Sequence, residues 1–112
     1  MLITDWSGIA IEFSYCTLKP SIFINTPMKI MNQNYEKYGI EPLEITLRDQ
    51  IGTSLNVDEL VNINDTVVRL LADEDAYKTK IRNFVRENVY HPGRSGEAGG
   101  KYILKQLNDR GD

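Results

Sequence analysis

Ile3-Thr4-Asp5-Trp6-Ser7-Gly8-Ile9-Ala10-Ile11-Glu12-Phe13 decides how this chain is read. A short apolar run reaches Asp5, Ser7 and Gly8, and an apolar, helix-like run follows. The pattern predicts a strand over Met1–Thr4, a tight polar turn and a helix from about Gly8 to Leu18. Pro20 ends that helix. Ser21-Ile22-Phe23-Ile24-Asn25 then reads as a second buried strand. Strand, helix and strand at this spacing make a βαβ unit with parallel strands and a right-handed crossover. The expected fold class is therefore α/β: a partial Rossmann-like domain, with a small parallel sheet first and a helical C-terminal half.

The turn carries the first functional signal. Free amides at a helix N-terminus attract anions, and nucleotide phosphates are common occupants. Asp5, Ser7 and Gly8 thus suggest a nucleotide or sugar-phosphate site, while strand–turn–helix joints also serve as plain architecture. The first helix is apolar almost all round. Ile9, Phe13 and Cys16 form one face, and Ile11, Tyr15 and Leu18 another, which predicts burial on most sides. Glu12 is the charged exception. It reads either as an acceptor for a ligand hydroxyl or as an exposed or salt-bridged surface residue.

Downstream, Thr26–Glu41 is polar and reads as a long loop with one helical turn around Tyr35. Long loops in compact domains often carry function. The alternation in Leu43–Leu47 predicts a short edge strand, and Ile51–Leu55 another. From Asn56 onward the pattern is helical. Asn56 and Asn64 are expected N-caps for Val57–Val61 and Asp65–Ala72, and Asp73 for a helix from Glu74 to about Val89. Tyr77, Ile81, Phe84, Val85 and Val89 line the apolar face of that helix, with a basic stripe of Lys78, Arg82 and Arg86. Tyr90–Gly100 is rich in small and turn-forming residues. A last helix, about Glu97–Asn108, is expected to bury Ile103, Leu104 and Leu107.

With 112 residues the chain fits one domain, 1–112. Its net charge of −3 is unevenly spread. Residues 1–76 hold 5 basic and 12 acidic groups, net −7, and residues 77–112 hold 8 and 4, net +4. A basic tail suits phosphates or an anionic membrane surface, and equally suits solvated helix faces. The tail lacks the aromatic interleaving of single-strand binders, so nucleic acid is not an expected partner. The lone Cys16 forms no internal disulfide and fits a reducing cytoplasm. No apolar stretch approaches bilayer-spanning length, which leaves only peripheral membrane contact.

Motif matching in the glycine-rich stretch mostly fails. Gly96-Glu97-Ala98-Gly99-Gly100-Lys101-Tyr102 has the wrong spacing for a Walker A loop and no hydroxyl residue after the lysine. Gly93-Arg94-Ser95-Gly96-Glu97 is not a nucleophile elbow. What survives is a helix start at Ser95, Gly96 and Glu97 beside Arg94 and His91, suited to a phosphate or simply to a helix-connecting loop. A single histidine rules out a multi-histidine metal site, and no metal or other cofactor is expected.

These segments together carry a resemblance. Ile3-Thr4-Asp5-Trp6-Ser7-Gly8, Glu12-Phe13 and Lys19-Pro20-Ser21-Ile22-Phe23-Ile24 resemble the C-terminal nucleotide-binding domain of the CDP-glycerol glycerophosphotransferase family. These enzymes build teichoic-acid-like surface polymers on a GT-B glycosyltransferase fold. Tyr90-His91-Pro92-Gly93-Arg94-Ser95-Gly96-Glu97-Ala98 is similar to the family's later small-residue loop, more loosely. The chain departs from the family pattern at Trp6, Gly8, Pro92 and Arg94, which leaves the transferred group open.

By that resemblance, Asp5, Ser7 and Gly8 hold the diphosphate of a nucleotide-activated donor such as CDP-glycerol. Glu12 sits near the ribose or transferred group, and Arg94, Ser95, Gly96 and Glu97 complete the phosphate cradle. The catalytic base belongs to an N-terminal acceptor domain outside this chain, so no catalytic residue is expected here and the chain alone is not expected to catalyse transfer. The implied setting is the bacterial cytoplasm, peripheral to the inner face of the membrane. A non-catalytic α/β interaction module, docking through the apolar first helix or the basic stripe, or forming a homo-oligomer, is the alternative.

Overall fold

The computed structural model describes residues 1–28 and 33–111. Three parallel strands form its sheet, in the order β1 (Leu2–Thr4), β2 (Ser21–Asn25), β3 (Gly52–Asn56). The register places Leu2 beside Ser21 and Ser21 beside Gly52. Helix α1 (Ile9–Thr17) connects β1 to β2 and ends where Leu18 turns left-handed at φ 55°, its N–H donating to the Ser14 carbonyl. Pro20 follows, so the helix cannot continue. The βαβ unit expected from the opening residues is thus present, with parallel strands.

Two apolar clusters fix the layers, because successive side chains of a strand point to opposite faces. On one face Phe23 packs with Ala10 of α1, Leu47, Ile51 of α3 (Arg48–Ile51), and Ile81 and Phe84 of α5 (Glu74–Asn88). The Tyr15 and Phe84 rings meet there at 5.9 Å. On the other face Ile22 and Leu55 pack with Leu70 of α4 (Ile63–Ala72). The sheet is therefore covered on both sides, as parallel sheets require.

The loop after β2 contains a 3-10 turn at Tyr35–Tyr38, where a helical turn was expected. Residues 29–32, part of the stretch expected to be a long loop, lie outside the described residues. Leu43–Thr46 is a short helix, α2, and not the expected edge strand. Alternation over five residues also satisfies an i, i+4 pair, here Leu43 and Leu47. Pro42 settles the choice: its carbonyl accepts from Ile45 N (3.0 Å) and Thr46 N (3.4 Å), and Leu47 turns into the core. The strand expected at Ile51–Leu55 is β3, one residue later.

The Asn56 N–H donates to Glu59 Oε2 at 2.8 Å and starts a 3-10 segment, Val57–Asn62. The next helix begins at Ile63, so Asn62 and not Asn64 occupies its cap. Asp73 stands at the α5 cap position as expected, without a side-chain cap bond.

Two burial expectations fail. In α1 only Ala10 and Ser14 are buried, and Ile9, Glu12 and Cys16 are exposed. The sheet is three strands wide, so α1 lies at its margin beside α5 and turns one narrow side inward. In α6 (Ser95–Asp109), which starts two residues before the expected Glu97, Ile103, Leu104 and Leu107 are each more than half exposed. This helix makes at most marginal contact with any other described element. Its apolar side has the pattern of a packed helix and no surface within the chain to pack on.

Candidate ligand site at the carboxyl end of the sheet

Open parallel sheets bind ligands beyond the carboxyl ends of their strands, where the connecting turns gather. Here that end carries the turn Asp5–Gly8 after β1, Asn25 as the last residue of β2 with Thr26 after it, and Asn56 as the last residue of β3. Ser7 Oγ accepts from the Ile9 amide at 3.4 Å, and the Gly8 carbonyl accepts from Ile11 N at 3.0 Å. The space around the Gly8 Cα is open. Asp5 is exposed, Ser7 half-buried, and Glu12 exposed on α1, so the Glu12 carboxylate is solvated.

Beside the turn lies an open cavity of about 540 Å³. Trp6 walls it on the sheet side, Met28, Tyr35, Gly39, Ile40, Pro42 and Ile45 add a mostly apolar lining, and the carboxylates of Glu36 and Glu41 are its charged groups. Trp6 Nε1 donates to the Thr26 carbonyl at 2.6 Å, which ties the ends of β1 and β2 together.

Under Trp6 sits a residue with no forewarning in the sequence. Arg48 is only 6% exposed. Its guanidinium carbon lies 3.9 Å from the Trp6 ring centroid and 4.7 Å from that of Phe23, so the cation lies against two aromatic faces. Each such contact stabilises a desolvated cation by about 1–2 kcal/mol. Nη1 donates to Asn25 Oδ1 at 2.7 Å, and Asn25 Nδ2 donates to Asn56 Oδ1 at 2.8 Å. The network thus crosses the carboxyl ends of β2 and β3. Burial pushes the Arg48 guanidinium below its ordinary value, against the opposing pull of Asp49 and Asp5. Nε and Nη2 are buried with no hydrogen-bond partner among the described residues.

The second predicted cluster lies on α6. Arg94 Nη2 meets Glu97 Oε2 at 3.2 Å, and Lys101 Nζ meets Glu97 Oε1 at 2.6 Å. These bonds, that to Lys101 foremost, hold the Glu97 carboxyl below its usual range. Ser95 Oγ donates to the His91 carbonyl at 3.2 Å. A shallow cavity of about 290 Å³ is lined by His91, Arg94, Glu97, Ala98 and Lys101. It shares no residue with the Trp6 cavity. The structure therefore brings Asp5, Ser7 and Gly8 together in one turn and Arg94, Ser95, Gly96 and Glu97 together in another, with no hydrogen bond or ion pair between the groups among the described residues.

Asn25 and Asn56, like Arg48, were missed by the sequence reading. A polar residue closing each of two buried strands was the available signal for the asparagines. For Arg48 the sequence held no such signal. Among the described residues, no cluster of His, Cys, Asp and Glu is placed to hold a metal ion, and no helix is long and apolar enough to cross a membrane. No family model matches this chain, no curated protein is significantly similar to it, and no solved structure matches it.

Proposed function

We propose that the chain is the donor-binding part of a transferase of the CDP-glycerol glycerophosphotransferase kind, acting in bacterial surface-polymer synthesis at the cytoplasmic side of the membrane. The observation that carries this reading is one of placement. The β1–α1 turn and the N-terminus of α1 stand at the same sheet end as the Trp6–Tyr35 cavity. A diphosphate on the Ser7–Gly8 turn would leave the nucleoside facing that cavity, where aromatic walls suit a base. Glu12, solvated on α1, remains available to a ribose hydroxyl. The acceptor site and the catalytic base fall to another domain, so this chain binds donor and does not turn it over. The Arg94–Glu97 segment enters only through its family likeness.

Titration of the labelled chain with CDP-glycerol, CMP and UDP tests the reading by NMR. Shifts at Ser7, Gly8 and the Tyr35 loop are expected, with cytidine ligands preferred. Ser7→Ala is expected to weaken diphosphate binding several-fold, about 1 kcal/mol for one hydrogen bond, and Cys16→Ala to leave it unchanged. Equal effects of the two substitutions would reduce the turn to architecture.

A second reading, a non-catalytic interaction module, draws on the exposed apolar side of α6. It gains if sedimentation finds a tight homodimer and no nucleotide shifts the turn.

A further inference from the structure

Burying a guanidinium while two of its nitrogens find no partner among the described residues is costly, because each donor gives up water and gains nothing in return. The two nitrogens left over in Arg48 are not an arbitrary pair. Nε–H and the neighbouring Nη2–H point the same way and form the side-on edge of the guanidinium. That edge matches two oxygens of a carboxylate or a phosphate with two parallel hydrogen bonds. The other nitrogen, Nη1, is already engaged by Asn25. Trp6 and Phe23 hold the plane, which fixes the direction of the free edge.

We infer that the Nε/Nη2 edge of Arg48 is an oxyanion site at the carboxyl end of the sheet, taking two oxygens of a phosphate or carboxylate group on the ligand of the Trp6 cavity. The inference rests on the reading above for the position of the ligand, and not for its nucleotide. Trp6 is the gate. Its ring covers Arg48 on one side and borders the cavity on the other, and its one side-chain hydrogen bond goes to Thr26. Arg48 does not itself line the cavity, so the ligand reaches the edge by displacing the Trp6 side chain, while Phe23 and Asn25 still hold the guanidinium. At the edge itself a buried cation has no ion pair within 4.0 Å among the described residues, and Asp5 and Asp49 act on it only from longer range; Glu36 and Glu41 on the cavity lining oppose the anion's approach, so the attraction is local to Arg48.

Trp6 is the sole tryptophan, so its fluorescence reports this site alone. The experiment titrates the full chain with pyrophosphate, succinate and CMP, reading Trp6 emission and the Nε–H resonance of Arg48. At least one of the two simple anions is expected to change both signals, and the comparison between them assigns the site to phosphate or carboxylate. Arg48→Lys, which keeps the charge and loses the edge, is expected to weaken that binding about tenfold. Arg69→Lys, on exposed α4 surface, is expected to leave it alone. Should the lysine variant fail to fold, the wild-type Nε–H signal decides.

No response of Trp6 or of the Arg48 Nε–H up to about 20 mM anion, a free energy too weak to matter, overturns the inference. So does unchanged binding in Arg48→Lys. So does a Nε–H already hydrogen-bonded without ligand and released by Asp5→Asn, since the edge would then be filled from within. Pyrophosphate binding without any nucleotide binding would remove the transferase reading and keep the oxyanion site. Nucleotide binding indifferent to Arg48→Lys would do the reverse.

Discussion

Gly52 has no room for a side chain. A Cβ there would collide with the carbonyl oxygen of Ser21, its partner in the register of β2 and β3. Its backbone is extended, so the demand is one of space and not of φ. Gly52→Ala is expected to destabilise the protein by about 1–3 kcal/mol, the usual cost of overpacking against an unyielding neighbour, measured by urea denaturation. At this scale the sequence speaks unevenly. A buried Ile22 or Phe23 is legible because apolar side chains gather in short runs. The role of Gly52 is not, because it depends on where another strand lies. Arg48 is hidden for the same reason: its partners Trp6, Phe23 and Asn25 are 23 to 42 positions away, and no local pattern marks a cation that will lie against two rings.

Elements follow their local code where one period fits and lose it where two fit. The strands β1 and β2 and the helices α1, α4 and α5 could be read directly, since each has a run of consistent periodicity and a recognisable stop. Leu43–Leu47 was misread because five residues fit either period and Pro42 decided. For α6 the helix was legible and its surroundings were not: amphipathicity says which side would pack, not whether anything is there to receive it. The first turn of α6 is tied by Glu97 to Lys101 and Arg94. Because these bonds lower the folded-state value of Glu97, their contribution is complete above the ordinary glutamate value of 4.5 and is lost as pH falls through the lower, folded-state value. Helicity at the start of α6 should therefore decline in acid below the usual carboxylate range. Glu97→Gln should already lack that contribution at neutral pH and show less acid dependence, as followed by amide exchange of Ala98–Lys101.

The whole molecule is extended, 65 × 37 × 17 Å with a radius of gyration of 18.1 Å. A compact chain of this length would have a radius of about 13 Å. Its surface of 8344 Å² compares with about 6,300 Å² expected for a folded monomer of its mass. Helix α6 explains much of the excess, since 15 residues of helix reach about 22 Å. A chain ended after Val89 should keep its melting temperature within about 4 °C, equivalent to less than 1 kcal/mol. By contrast, Leu70→Ala in the core should cost about 2–5 kcal/mol. Scanning calorimetry of the two variants checks this. The candidate site shows the same division between near and far. The Asp5–Gly8 turn was legible because it is contiguous; the cavity and the asparagine–arginine network behind it were not, because tertiary packing assembles them.

One feature of the sheet reaches beyond the single chain. Among the described residues, β1 and β3 each pair on one side only, and Ile3 is half exposed on the outermost strand. Their outer N–H and C=O groups form a ready seam, and an extended segment from any source can stitch onto it. Crowded preparations should therefore tend to zip chain to chain along these margins, and a charged residue in place of Ile3 is the smallest change that would blunt the habit.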